Sequence, residues 1–411
     1  MRTAVRAVNG LTSRWAGAAG AEGGTAFSAA GVWPLLAFLA DGADGPARAE
    51  LAAALGVPAG EAAGLARELS DGLAGVAGLD SALGLWTART LRLREEWASR
   101  LPSGTRGVLG GDPVADRAAL DAWAREHTGG RIEEMPVSLD ESTLLVLASA
   151  LALRTRWAEP FHETILESAV WGDREYLGLR RDTADLDRLS VSRTPFGSVT
   201  EVRVLGEDGL DVHLLLGETE MTPTQILRAG VELLSGGHLS VPGSRLPLGE
   251  AGPGVRVVEV PCTRPSAPEL SLATAAFELT ARHDLLKQAE LFGLGAARDT
   301  SYGHFPGVSD SPLAVSSAEQ SVVARFHARG FEAEVVTLVA AAAGGLPEYR
   351  WTTKVVEARF DRPFGFLAVH RETGLVLVSG WVGRPVEWRE QSVAAPSNID
   401  LPSASGATPH I

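Results

Sequence analysis

The side chains that most often carry out enzymatic chemistry form no recognisable catalytic motif in this sequence. There is no G-x-S-x-G nucleophile elbow, no H-E-x-x-H metal motif and no glycine-rich phosphate loop between a strand and a helix. The nine histidines are scattered, with no pair at the spacing of helical metal ligands. His283 lies beside Asp284 at a predicted helix start, where Asp284 is expected to cap the helix rather than share a proton. We therefore predict no catalytic residue, no metal, no cofactor and no enzyme activity.

The bulk composition narrows the possible partners. The chain has 411 residues, 45% of them apolar, which is enough to bury a large core, and its formal net charge is −14. No run of Lys or Arg exceeds two residues, so nucleic acid and an anionic membrane surface are not expected partners. The single cysteine, Cys262, excludes an internal disulfide and is expected to act as a small buried hydrophobe.

The N-terminal segment does not have the pattern of a signal peptide. Arg2 and Arg6 resemble the basic start of one, but Asn9, Ser13 and Arg14 interrupt the apolar run that should follow. No window of about twenty residues is apolar enough to predict a transmembrane helix. The expected location is the cytoplasm, with an extracellular location as the alternative.

One segment combines the pattern of a strand with the composition of a loop. From Gly330 to Lys354 the sequence reads GFEAEVVTLVAAAAGGLPEYRWTTK. Its first half alternates, with Phe331 and Ala333 on one face and Glu332 and Glu334 on the other, as in a half-buried strand. Four alanines, Gly344, Gly345 and a proline then follow, a composition typical of loops. The sequence therefore places a strand pattern in what otherwise has the composition of an exposed loop.

The elements around this segment predict an α+β fold. Helical patterns dominate the first 150 residues, including a helix that begins at Pro46 and ends at Gly56. Strand-like runs dominate the later part and finish with a hairpin at Glu372–Gly374. Helices first and antiparallel strands later favour α+β over alternating βαβ units. We expect one domain over residues 1–388 and a disordered tail over residues 389–411.

Several segments, in order, resemble the serpin family of protease inhibitors. FSAAGVWPLLAFLADGADGPARAELAAALG resembles the first core strand and helices of the family, and LDAWAREHTGGRIEEM resembles its N-x-W-x-x-x-x-T-x-G-x-I segment. LVLASALALRTRWAEPF resembles its central strand ending in Trp-x-x-Pro-Phe, with Trp157 in the tryptophan position. FELTARHDLLKQAELFGL resembles the segment before the reactive loop, and EARFDRPFGFLAVHRETGLVLVSGWVGRP resembles the C-terminal signature. The expected type within the family is bacterial.

The resemblance implies a fold and a mechanism. It implies mostly antiparallel sheets, N-terminal helices and an exposed reactive-centre loop at about residues 330–354 on a metastable native state. A serine protease attacks the loop, which then inserts into the central sheet and traps the enzyme. Gly330 would be the hinge, with Phe331, Ala333 and Thr337 facing the core after insertion and Glu332 facing outward. The expected partner is an unidentified serine protease, and the expected state is a monomer.

The sequence departs from the family pattern at the hinge and at the sheet-opening region. Ala328 stands where inhibitory members usually carry Glu, and Phe331 stands where a small residue or Thr is usual. If Phe331 finds no pocket, insertion slows and the protein behaves as a substrate. The sheet-opening region is assigned to Ser28, Ser149, Trp157 and Gln320; Ser149 and Gln320 replace the usual Asn and His, and Gly31 replaces a Ser.

The position of the scissile bond is ambiguous. Counting forward from Gly330 leads to Gly344-Gly345, whereas counting back from Pro363-Phe364 leads to Thr352. Between these ends, Arg350 would suit a trypsin-like protease, although it also fits a solvated loop arginine. Tyr349 or Trp351 would suit a chymotrypsin-like enzyme, and the alanines an elastase- or subtilisin-like one.

Three functions remain open on the sequence. The first is suicide inhibition of a serine endopeptidase. The second is a non-inhibitory binding or scaffold role, which the hinge and sheet-opening departures favour. The third is recruitment of the fold to small-molecule chemistry, for which a pocket with convergent polar groups and shifted acidities would be the sign.

Overall fold

The computed structural model describes residues 1–18, 23–300, 302–331 and 350–388. In these ranges the α-helices are α1 (Arg2–Ala16), α2 (Ala29–Gly42), α3 (Gly45–Leu55), α4 (Ala59–Ala74), α5 (Glu95–Ala98), α6 (Pro113–His127), α7 (Pro223–Leu234) and α8 (Ala289–Phe292). Most of the helical residues therefore lie in the first third of the chain, as the sequence pattern predicts. The predicted stop at Gly56 is confirmed, because this residue ends α3 in the left-handed region with φ 69°.

Strands make up about half of the remaining described chain. They are β1 (Thr25–Phe27), β2 (Leu79–Ala88), β3 (Arg106–Leu109), β4 (Leu145–Leu153), β5 (Thr155–Arg156), β6 (His162–Ser168), β7 (Gly172–Thr183), β8 (Leu189–Thr194), β9 (Gly197–Val204), β10 (Leu210–Gly217), β11 (Leu239–Pro242), β12 (Gly249–Gly252), β13 (Val255–Cys262), β14 (Glu269–Ala275), β15 (Phe277–Asp284), β16 (Ser317–Phe326), β17 (Gly330–Phe331), β18 (Trp351–Arg359), β19 (Phe364–His370) and β20 (Leu375–Val382). The predicted hairpin at Glu372–Gly374 joins β19 to β20.

The strands form three sheets. The main sheet has the order β3-β2-β4-β16, with β15 on the far side of β16 and the short strands β17 and β5 at one end. The second sheet has the order β1-β20-β19-β10-β9-β8-β11, and the third has the order β12-β13-β18-β14-β7-β6. Most described neighbours are antiparallel, with parallel pairs at β2–β3, β4–β16 and β14–β18. The predicted α+β class is confirmed, with mixed rather than purely antiparallel sheets.

The two faces of the main sheet are covered by different apolar clusters. On the inner face, Phe326, Leu151 and Val322 join the large core that also contains α2 and the second sheet. On the outer face, Val323 and the alanines of β4 pack against α6. Alternation along each strand therefore assigns every residue of β4 and β16 to either the inner face or the α6 face.

The strand pair β4–β16 lies at the centre of the main sheet. It is parallel and regular, from Ser317 opposite Val146 to Val323 opposite Ala152. Strand β16 leads to residue 331, and the described chain resumes at residue 350 and enters β18 in the third sheet. The segment predicted to be a loop therefore connects the centre of one sheet to an interior strand of another.

The described residues contain no helix that is long and apolar enough to cross a membrane. Among the same residues, no group of three or more His, Cys, Asp or Glu side chains could hold a metal ion. Asp284 caps a short 3₁₀ helix by accepting a hydrogen bond from the Leu286 amide at 3.0 Å, which confirms its capping role. Cys262 is only half-buried, at the end of β13, because it lies at the edge of the third sheet rather than in the core.

Candidate functional site

The predicted hinge lies at one end of the main sheet, where β16 reverses direction. The amide of His327 donates a hydrogen bond to the Gly330 carbonyl at 3.0 Å, which closes a tight turn. Strand β17 then pairs antiparallel with β16, placing Phe331 opposite Phe326. On its other side β17 pairs antiparallel with β5, where Gly330 lies opposite Arg156. The two hinge residues therefore already form a strand between β16 and β5.

Glycine is required at position 330 because the neighbouring backbone approaches closely. A Cβ atom on Gly330 would lie 2.3 Å from the carbonyl oxygen of Thr155 and 3.2 Å from Cα of Arg156. Contacts this short with backbone atoms cannot be relieved by a rotamer change. The need for glycine therefore comes from packing between strands.

Phe331 lies in the apolar interior. Its side chain is 1% exposed, and its ring centroid lies 6.3 Å from that of Phe366 in β19. From the sequence, a large aromatic residue at this position risks finding no pocket. The structure provides one, since the ring joins the large core beneath the main sheet.

Trp157 holds the turn that precedes the hinge. Its indole Nε1 donates a hydrogen bond to the carbonyl oxygen of His327 at 2.8 Å, and its backbone amide donates to the carbonyl oxygen of Arg329 at 3.0 Å. The amide of Phe161 donates to the carbonyl oxygen of Ala328 at 2.7 Å. These bonds fasten each residue of the turn except Gly330 to the segment that follows β5.

His327 adds an ionisable group to the same turn. Its Nε2 atom lies 3.1 Å from a carboxylate oxygen of Glu278 on β15, and its side chain is mostly buried. Burial lowers the pKa of His327, with the charge of Arg325 acting in the same direction, while Glu278 and Glu163 oppose the shift. The ring therefore favours its neutral form.

The sheet-opening residues form a hydrogen-bonded seam beneath the middle of β4 and β16. Gln320 is fully buried; its side-chain oxygen accepts from the Ser28 amide at 2.8 Å, and its side-chain nitrogen donates to the Ser28 carbonyl at 2.8 Å. The same nitrogen lies 3.4 Å from the hydroxyl oxygen of Ser149, directly across the β4–β16 ladder. Ser28 also caps α2 by accepting from the Gly31 amide at 3.1 Å. One side chain thus links both central strands to α2.

Gly31 provides the space for this arrangement. A Cβ atom at this position would lie 2.5 Å from the Ser149 hydroxyl oxygen and 3.3 Å from the side-chain nitrogen of Gln320. The absence of a Cβ at Gly31 therefore leaves room for the side chains of both Ser149 and Gln320. The three departures from the family pattern, at Gly31, Ser149 and Gln320, fit together in one packing arrangement.

Glu319, next to the seam on β16, is a buried carboxyl group. Its side chain faces away from Gln320 and is flanked by Ala148 on β4 and Asp284 on β15. The residue is 6% exposed, and its nearest hydrogen-bond donor is the hydroxyl of Ser317 at 3.4 Å. Burial, together with the charge of Asp284, raises the pKa of Glu319 to about 8.

This shift predicts a pH dependence of stability. Because the folded pKa lies above the ordinary value of 4.5, the folded state binds one more proton than the unfolded state between these values. The contribution of Glu319 to the free energy of unfolding is expected to fall as pH rises through this window, with a limiting slope of about 1.4 kcal/mol per pH unit. Urea unfolding at several pH values would measure it.

The matched variant is Glu319→Gln, which keeps the shape but cannot ionise. Its stability relative to the wild type should increase from pH 5 to pH 8, whereas Glu126→Gln on the exposed side of α6 should show no such trend. If the free energies of unfolding of the wild type and of Glu319→Gln changed with pH in parallel, Glu319 would not be the source of the pH dependence.

The other loop residues named from the sequence divide into two groups. Glu332, Ala333, Thr337, Gly344, Gly345 and Tyr349 lie outside the described residues. Arg350 is exposed, and its amide donates to the carbonyl oxygen of Cys262 at 3.1 Å. Trp351 begins β18 opposite Cys262 and is 45% exposed. Both residues are therefore already tied to the third sheet.

The residues that hold the hinge by backbone hydrogen bonds were not predicted from the sequence. Thr155 and Arg156 form only a two-residue strand, and His327 and Phe161 act through backbone groups. Backbone hydrogen bonds leave no residue-type signal in a sequence. The only available sign was the Trp-x-x-Pro-Phe motif, which marks the right segment but not its contacts.

The arrangement of three sheets, the seam and the hinge defines a serpin fold. A family model described as serpin (serine protease inhibitor) matches residues 11–170. The putative serpin-Z6C of Oryza sativa subsp. japonica is 26% identical, and the match covers 93% of this chain and 96% of that protein. The leukocyte elastase inhibitor of Bos taurus is 24% identical, with 66% of this chain and 67% of that protein covered.

Solved structures agree with the fold. The native-state crystal structure of the thermophilic serpin tengpin matches with a TM-score of 0.71 and 14% identity, covering 92% of this chain and 94% of that chain. The chain therefore has a serpin fold, and its sequence is similar to serpins over most of its length. The expectation of a bacterial type is not supported, since the curated relatives named above come from rice and cattle.

Proposed function

We propose that the protein inhibits serine endopeptidases by suicide trapping, in which a cleaved loop enters the main sheet as a new strand between β4 and β16. The observation that carries the proposal is strand β17. Because the chain turns back after β16, its continuation runs antiparallel to β16, and therefore antiparallel to β4 as well. If β17 continued between β4 and β16, the parallel β4–β16 pair would be separated. Two antiparallel pairs, one of the new strand with β4 and one with β16, would replace it.

The direction of the strands supplies the driving force. Antiparallel pairing is slightly more stable per residue than parallel pairing. A strand that pairs on both sides adds on the order of ten ladder hydrogen bonds, each contributing about 1 kcal/mol net. This gain could offset the distortion of a protease that remains attached to the loop. The seating of Phe331 in the core removes one of the reasons for a non-inhibitory reading.

The contacts at the C-terminal end of the loop bear on the scissile bond. The backbone of Arg350 is hydrogen-bonded to Cys262, and Trp351 is part of β18. A protease needs several extended residues on each side of the bond that it cleaves. We therefore favour cleavage before Arg350, within residues 332–349, over the Arg350–Trp351 bond. The name of the leukocyte elastase inhibitor relative supports an elastase-like target, whereas residues 332–349 offer a trypsin-like enzyme no Lys or Arg to cleave after.

The test is a gel titration of the protein against trypsin, chymotrypsin, elastase and subtilisin. We expect at least one protease to form a complex that survives SDS, and mass spectrometry of the released C-terminal peptide to place the cleavage between residues 332 and 349. If the loop is cleaved and none of the four proteases forms an SDS-stable complex, the result would instead support a binding or scaffold role.

The third function, small-molecule binding, has weaker support. A cavity of about 540 Å³ opens beside the β12–β13 hairpin and is lined by Glu218, Glu220, Glu250 and Arg362, among others. Glu218 already accepts a hydrogen bond from the Ser198 amide at 2.7 Å. The cavity is shallow and wide open, so no group in it converges on an enclosed ligand.

A further inference from the structure

Arg181 on β7 is a cation in the interior of the protein. The residue is 4% exposed, whereas the side chain of its neighbour Arg180 is 60% exposed. Burial, together with the charge of Arg188, lowers the pKa of Arg181 to about 10, so the guanidinium still carries its charge at neutral pH. A buried charge is costly unless other groups compensate for it. The contacts of this side chain therefore indicate what it does in the fold.

The contacts of Arg181 converge on the segment from Trp157 to Phe161. Its guanidinium carbon lies 4.6 Å from the centre of the Phe161 ring, which is the position of a cation–π contact. Its Nη1 atom donates a hydrogen bond to the carbonyl oxygen of Glu159 at 2.8 Å. The guanidinium thus holds both an aromatic ring and a backbone group of the same short segment.

A second arginine holds the side chain of Glu159. Arg188 lies in a short 3₁₀ helix between β7 and β8, and its two Nη atoms donate to the two carboxylate oxygens of Glu159 at 3.0 and 2.9 Å. Bidentate pairs of this kind fix the geometry as well as adding energy. The side chain of Arg188 is 11% exposed, so solvent screens this pair less than it screens a surface pair.

The segment held by these arginines is the one that holds the turn before the hinge. The amides of Trp157 and Phe161 donate to the carbonyl oxygens of Arg329 and Ala328, respectively. The Phe161 ring also packs against Phe326 at the end of β16, with 5.7 Å between the ring centroids. A group that fixes the position of Phe161 therefore also fixes the turn.

We propose that Arg181 is a positioning residue that keeps the turn before the hinge closed by holding the segment from Trp157 to Phe161. The turn determines where β17 begins, and the proposed insertion continues β17. A fixed turn lets the cleaved loop enter in one register, whereas a loose turn delays entry and gives the protease time to escape. This consequence rests on the proposed function, but the closing of the turn in the intact protein does not.

Hydrogen exchange of the intact protein tests the closing of the turn. The reporters are the amides of Trp157, Phe161 and His327, which donate to carbonyl oxygens of the turn. Arg181→Met keeps an unbranched side chain but removes the charge and the donor. We expect exchange of the three amides to be at least about tenfold faster, while exchange in the β19–β20 hairpin is unchanged. The control is Arg180→Met on the exposed face of β7, which should leave all of these rates unchanged.

Two further variants separate positioning from a general loss of stability. Arg181→Lys keeps a cation and a donor, so the three amides should exchange more slowly than in Arg181→Met. Glu159→Gln removes the charge that balances both arginines; its side chain is 42% exposed, so this variant should fold even if Arg181→Met does not. We expect the same three amides to exchange faster in it, by a smaller factor. Equal acceleration in the β19–β20 hairpin, or no acceleration at the three amides in either variant, would overturn the positioning role.

The ratio of SDS-stable complex to cleaved free protein tests the consequence for trapping. We expect this ratio to be several-fold lower for Arg181→Met than for the wild type and Arg180→Met. An unchanged ratio together with faster exchange at the turn would overturn the link between the turn and trapping. If the wild type forms no complex with any of the four proteases, the proposed function fails, whereas the exchange rates still decide whether Arg181 holds the turn.

Discussion

Under the proposed trapping mechanism, Gly330→Ala is expected to shift the protein from trapping its protease towards being cleaved as a substrate. The new Cβ would lie 2.3 Å from the Thr155 carbonyl oxygen, so either β17 or β5 must move. Overpacking of this kind costs about 1–3 kcal/mol, which corresponds to roughly a five- to hundredfold change in the partition between trapping and release. The ratio of SDS-stable complex to cleaved free protein measures that partition.

The control for this prediction is a glycine without close neighbours. Gly64 in α4 has no atom within 4 Å of its Cβ position, and alanine is the better helix former, so Gly64→Ala should leave the ratio unchanged. If Gly330→Ala traps as well as the wild type does, the contact between β17 and β5 has no role in insertion.

Gln320→Ala is expected to destabilise the intact protein strongly. The substitution leaves the buried Ser28 amide without its acceptor and removes one donor from the Ser28 carbonyl. Each buried group that loses its partner costs about 1–3 kcal/mol, so the free energy of unfolding should fall by about 2–6 kcal/mol. Urea unfolding followed by tryptophan fluorescence would measure the change.

Ser149→Ala distinguishes the contribution of the Gln320–Ser149 contact from that of the Gln320–Ser28 hydrogen bonds. Within the described ranges, the one hydrogen bond of the Ser149 hydroxyl is the 3.4 Å contact with Gln320, so its removal should lower the free energy of unfolding by less than about 1 kcal/mol. Equal effects of Gln320→Ala and Ser149→Ala would show that the link between the strands, rather than the link to α2, dominates the seam.

Local patterns in the sequence determined much of this protein. The helix that ends at Gly56, the cap at Asp284 and the hairpin at Glu372–Gly374 each follow from one or a few neighbouring residues, and all three are confirmed. The structure buries Phe331, the first residue of the strand pattern, before any insertion, and its facing of the core after insertion stays a prediction.

Pairing between distant strands was decided only by the tertiary structure. The close approach at Gly330 and the bonds from Gln320 to Ser28 each join segments more than 150 residues apart. A strand pattern defines which face a residue occupies, but it carries no information on which residue of another strand lies opposite. Register depends on how the whole sheet packs against its core, and here that register places Ser149 opposite Gln320 in the seam and Gly330 opposite Arg156 at the hinge.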